Sequence, residues 1–91
     1  MAKPVTPADQ AAVAHAQALH RADRSAEATA LLRPIARRHP RHAELQMLAG
    51  MAARGAGLRG EAIAAFRHAM AARPGDAQIA NILANTLAGH P

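Results

Sequence analysis

The chain has 91 residues, a formal net charge of +5, no Cys, Trp or Tyr, and a single Phe. That length fits one small domain, and the missing Cys excludes disulfides, thiolate metal sites and cysteine nucleophiles. The core must be built from Ala, Leu, Ile and Met around Phe66. A chain so rich in Ala, the best helix former, and so poor in aromatic and β-branched residues points to an all-α fold and away from sheet. Nearly all the cations are Arg, with Lys3 the only Lys. A basic balance invites nucleic acid, membrane surfaces or acidic partners. No aromatics interleave with the Arg residues to stack bases, so the expectation is a solvated cationic surface and not a nucleic-acid binder. No apolar stretch of signal-peptide length follows Met1-Ala2-Lys3-Pro4. No uninterrupted apolar run approaches a membrane span. A cytoplasmic protein without membrane insertion is therefore expected.

Residues 1–6 read as an N-terminal arm. The first helix is predicted over 7–21, with Thr6 as N-cap, Pro7 at the first helical position, and Asp9 in the first turn where negative charge is favourable. After the turn Asp23-Arg24-Ser25, a second helix is predicted over 24–38. Pro34 falls inside it and removes one backbone donor, which predicts a kink near Ala30 in preference to a break. The third helix spans 43–54 and ends in Gly55-Ala56-Gly57, where glycine tolerates a left-handed cap. The fourth spans 60–73 and is stopped by Pro74-Gly75. The fifth spans 77–88, between the N-cap Asp76 and Gly89. Apolar residues recur at helical spacing in the third helix (Leu45, Leu48, Ala49, Ala52) and the fifth (Ile79, Ile82, Leu83, Leu87).

An internal repeat organises these helices. Pro40-Arg41-His42-Ala43-Glu44-Leu45 reappears 34 residues later as Pro74-Gly75-Asp76-Ala77-Gln78-Ile79. The same shift maps Glu27-Ala28 onto Glu61-Ala62, Leu32 onto Phe66, Leu48 onto Ile82, and Ala16 onto Gly50 and then Ala84. In residues 43–76, Ala49-Gly50 is followed by Ala62-x3-Phe66 and closed by Pro74. This unit resembles the tetratricopeptide repeat (TPR), whose pattern runs W-x2-L-G-x2-Y, then A-x3-F, then P. Gln46 stands at the Trp position and Ala53 at the Tyr, which predicts a thinner first helix in this unit. Residues 9–42 are a weaker copy with His15 where Leu is expected, and His15 is read as a partly buried core histidine. Residues 77–91 supply only a first helix. The resemblance implies antiparallel helix-turn-helix repeats, stacked as a short α-solenoid of five helices over 7–91.

The resemblance also implies a function: first helices of such units line a concave groove that holds a peptide. By register, the groove positions are Val13, Gln17, His20, Met47, Met51, Arg54, Asn81 and Asn85. Met suits an adaptable apolar floor, and Gln17, Asn81 and Asn85 suit hydrogen bonds to a peptide backbone. The positions where some members clamp a terminal carboxylate hold Val13, Gln17, Leu48, Gln78 and Ile82, without cations, so no such clamp is expected. Arg33, Arg37, Arg38 and Arg41 form a candidate anion face, with Arg33 and Arg37 four residues apart. Arg59, Arg67 and Arg73 lie on or near the later second helix. Ile79, Ile82, Leu83 and Leu87 make the last helix apolar enough either to face inward throughout or to pair with a second copy.

No catalytic constellation stands out, since Ser25 is the only Ser and no Gly-rich phosphate loop carries its Lys-Ser/Thr. No metal site is expected, because His15 and His20 are five residues apart and no carboxylate completes a ligand set. No cofactor is implied. The leading expectation is a non-enzymatic protein-interaction module that binds a peptide or partner segment. A second reading is an N-terminal accessory or oligomerisation region of a larger bacterial enzyme, such as a sulfotransferase or glycosyltransferase. A third is an anion-binding scaffold working through the Arg face.

Overall fold

The computed structural model describes residues 4–89. These residues form five helices, α1 (Pro7–Arg21), α2 (Ser25–Arg38), α3 (Ala43–Gly55), α4 (Arg59–Ala72) and α5 (Ala77–Leu87), with no strand among them. Each helix packs on the next in the chain, and α1 also touches α3. The short connections require neighbours to run antiparallel. Long-range pairs show the same thing: Arg38 at the end of α2 reaches Asp9 at the start of α1, and Arg73 after α4 reaches Glu44 at the start of α3. The result is a short all-α solenoid. No described helix is long and apolar enough to cross a membrane.

Local signals set most of the helix ends. The Thr6 hydroxyl accepts the Asp9 N–H at 3.1 Å, and the Asp76 carboxylate accepts the N–H groups of Gln78 and Ile79. His42 occupies the equivalent place before α3, where its Nδ1 accepts the Leu45 N–H at 3.2 Å. Pro34 lies within an unbroken α2, so no helix break occurs there.

The inter-helix turns repeat in atomic detail. After α1, Asp23 N–H donates to His20 O and Arg24 N–H to Leu19 O; after α3, Gly57 N–H donates to Arg54 O and Leu58 N–H to Ala53 O. This is the Schellman arrangement, which satisfies the last helical carbonyls and needs a left-handed residue after the cap. Asp23 at φ 63° and Gly57 at φ 78° supply it at matching repeat positions. The equivalent after α5 is Gly89, at φ 79°, so α5 ends two residues ahead of the repeat register.

The core has two apolar clusters. Ala16 and Leu19 of α1, Ala28, Leu32 and Ile35 of α2, and Leu45 and Ala52 of α3 form the first. Ala53, Ala62 and Phe66 form the second, with Met47, Ile82 and Leu83 packed on it. Phe66 is fully buried, and its ring lies against the backbone of Gly50, where a Cβ would stand 2.5 Å from Cε1. Alanine at the matching position in α1, Ala16, shares a cluster with the smaller Leu32. The close approach of α3 to α4 therefore depends on the Gly–Phe combination.

Two expectations about this core need correction. His15 is exposed, because Ala16 and Leu19 take the inward face of α1 and, among the described residues, no helix covers the next position. Nor does Gln46 leave α3 thin. It is buried, and its Nε2 donates to Ala36 O at 3.0 Å and His39 O at 3.2 Å, tying α3 to the C-terminal end of α2. The amide adds a second donor to carbonyls that already accept the His39 and His42 N–H groups.

Candidate functional site

A helix in this stack exposes one flank to a depression shared with its neighbours. Three such depressions run along the first helices of the helix pairs. One, of about 260 Å³, lies between α1 and α3 and includes Val5, Val13, Gln17, Leu45 and Leu48. The second, of about 250 Å³, lies between α3 and α5 and includes Met47, Leu48, Met51, Gln78 and Ile79. The third, of about 350 Å³, is formed by His20, Met51, Arg54, Gly55 and Ile82. Six of the groove positions expected from the sequence, Val13, Gln17, His20, Met47, Met51 and Arg54, line them.

Their environments differ. Met47 is half-buried against Ala53 and Phe66 and shares the work of the core, whereas Met51 is 39% exposed. His20 is held in place by Ser25, with Nδ1 and Oγ 2.9 Å apart, and it lines one depression together with Met51. Arg54 lies in the same depression as His20.

Asn81 and Asn85 do not join this set. Both are exposed and neither lines any of the three depressions. They repeat the register of Met47 and Met51, which look across to α5; among the described residues no further helix follows α5, so the same positions there face solvent. The α5 residues that do face the depressions are Gln78, Ile79 and Ile82. The period-34 register therefore misplaces the last helix's contribution. The alternation Gln78, Ile79, Ile82 on one face is the signal that marks it.

The candidate Arg face is partly neutralised by the chain itself. Arg33 forms a two-bond pair with Glu61, at 3.0 Å for each bond, across α2 and α4. The Glu61 carboxylate thereby raises the Arg33 pKa above its ordinary value. Arg38 donates to Asp9 at 2.6 Å, and the His39 ring lies 3.7 Å from the same carboxylate. The Arg38 guanidinium holds the Asp9 carboxyl below the usual range, helped by the Thr6 hydroxyl and His39 and opposed by partial burial. Arg37 and Arg41 are exposed and make no such pair among the described residues. Surface pairs of this kind are worth about 0–1 kcal/mol each, so Arg33 and Arg38 orient helices more than they stabilise them. Arg59 has a different role: its Nε donates to Thr86 O at 3.0 Å and its Nη2 to Leu87 O, placing a cation on the last carbonyls of α5.

The self-association positions separate in the same way. Ile79 is buried at 2% exposure, Ile82 and Leu83 are half-covered by the Phe66 cluster, and only Leu87 is exposed, at 44%. Among the described residues no group of three or more His, Cys, Asp or Glu stands close enough together to hold a metal ion. No family model, no curated protein and no solved structure matches this chain.

Proposed function

We propose that the chain is a cytoplasmic protein-interaction module of the TPR kind, and not an enzyme, which holds a partner peptide along α1, α3 and α5. One observation carries this reading: Val13, Gln17, Met47, Met51, His20 and Arg54 line a run of adjoining depressions on the first helices of the helix pairs. Apolar floor and polar edge alternate along that run, the arrangement of a surface that takes side chains and hydrogen-bonds a backbone. Met51 supplies an adaptable contact, and Gln17 and Gln78 supply amides. Peptides selected for binding from a random library should shift backbone amide resonances of Val13, Gln17, Met51 and Gln78 in the labelled protein. Met51→Glu, at an exposed position, should remove that binding while leaving the helical signal intact. Selected peptides that map to other faces, or whose binding survives Met51→Glu, refute the groove.

A further inference from the structure

A cavity of about 240 Å³ lies between α2 and α4, with its floor on α3. It belongs to the opposite side of α3 from the depressions above, because Gln46, Ala49 and Ala53 face it while Met47 and Met51 face away. Alanines contribute to every side of it, Ala36 from α2, Ala49 and Ala53 from α3, and Ala64 and Ala65 from α4, and these small side chains leave space unfilled.

Three features define what fits there. First, Gln46 is only 3% exposed and uses its Nε2 on the carbonyls of Ala36 and His39, which fixes which way the amide points. Its Oε1 has no donor among the described residues, and since no fully buried side-chain polar atom there lacks a partner, this oxygen keeps some exposure on a residue that lines the cavity. Second, Arg37 and His68 line the cavity from α2 and α4, and neither has a hydrogen-bond or ion-pair partner among the described residues. Glu61 on the same rim is already neutralised by Arg33, so the uncompensated charge at the cavity is positive. Third, the volume falls below the roughly 300–1,000 Å³ of pockets that enclose a whole small-molecule ligand. It suits one inserted side chain.

We propose that this cavity docks an acidic peptide segment of a partner protein. The segment inserts a neutral donor-bearing side chain, such as glutamine, over the alanine walls, where it donates to Gln46 Oε1. A neighbouring glutamate carboxylate meets Arg37 and His68. The site is distinct from the groove along α1, α3 and α5 and does not rest on it.

The test is amide chemical-shift titration of the 91-residue chain with the capped peptide acetyl-Ala-Ala-Gln-Glu-Ala-Ala-amide. Shifts should centre on Gln46, Ala64 and His68. Replacing the peptide's glutamate by glutamine should weaken binding by about tenfold, the loss of one charge-assisted hydrogen bond. Arg37→Glu should do at least as much, and Ala64→Leu, which fills the cavity from an exposed helical position, should abolish the shifts. Neither position is in the core, so the helical signal should stay unchanged. Four results overturn the proposal: no shifts, shifts centred on Val13, Met47 and Met51, equal binding of the glutamine peptide, or equal shifts with free acetate. The second of these places the peptide in the groove and leaves the groove reading standing. The last assigns the cavity to a free small acid.

Discussion

Gly50→Ala tests the packing of α3 against the Phe66 ring. Gly50 sits in the middle of α3 and is buried, and a methyl group there would meet Phe66 Cε1, Cδ1 and Cζ at 2.5, 2.7 and 2.9 Å. Carbon atoms prefer about 3.5–4.0 Å, so the ring must retreat by about 1 Å. Phe66 is fully exposure-free and packed among Ala53 and Ala62, which leaves it nowhere to go without moving α4. Such overpacking costs about 1–3 kcal/mol. Against it stands the helix-propensity gain of alanine over glycine, about 1 kcal/mol. The net expectation is a loss of about 1 kcal/mol, or a fall in melting temperature of about 4–8 °C for a domain of this size. The chain contains its own control, because Ala16 already faces Leu32 at the matching positions of the first repeat. In a Phe66→Leu background the clash disappears, and Gly50→Ala should then stabilise by about 1 kcal/mol. Urea unfolding followed by circular dichroism on the four proteins of this cycle gives the coupling directly. Additivity within about 0.5 kcal/mol would refute the steric argument.

Further outcomes follow from the same contacts. Arg59→Ala should cost about 1–2 kcal/mol, since it strips a cation from the terminal carbonyls of α5; faster hydrogen exchange confined to α5 would mark the effect as local, and unchanged exchange there would dismiss it. Gly57→Ala should destabilise by about 1 kcal/mol through backbone strain alone, because its φ is 78° and no atom lies within 4 Å of an added Cβ. Asp23→Gly, at the matching turn, should do the reverse or be neutral, and thermal melts of both variants separate the two signs. Asp9 has a depressed pKa in the folded state, so its contribution is present above its unfolded value of about 3.9 and is lost as pH falls from there through the depressed value. Asp9→Asn should therefore flatten the acid limb of the stability curve below about pH 4, and identical limbs would show that the Arg38 pair is inert. Leu87 is the one residue of the apolar α5 set that is strongly exposed. If it nucleates a homodimer, light scattering should give a concentration-dependent mass that Leu87→Glu returns to the monomer; a monomer at all concentrations removes self-association from consideration.

The helices and their ends were legible in the sequence because they rest on interactions within a few residues. Thr6 and Asp76 cap the N–H groups of the next turn, and Gly57 supplies the left-handed residue after α3. The 34-residue repeat fixed the order of the stack, since matching turns and matching apolar positions leave one economical way to bury successive helix faces. The depressions were partly legible for the same reason: α1 and α3 each have a following first helix, so register alone places Val13, Gln17, Met47 and Met51 along them.

Contacts between residues far apart in the chain decided the rest. The pairing of Arg33 with Glu61 and of Arg38 with Asp9 joins residues 28 and 29 apart, and no local pattern distinguishes those arginines from the unpaired Arg37 and Arg41. Gln46 reads as a gap at an aromatic position until the carbonyls of Ala36 and His39 are placed beside it. Asn81 and Asn85 face solvent because of what does not follow α5 among the described residues, which a periodic register has no means to express. Periodicity specifies direction from a helix axis. What lies in that direction, whether a ring, a carbonyl, a counter-charge or water, is set only when the helices are packed.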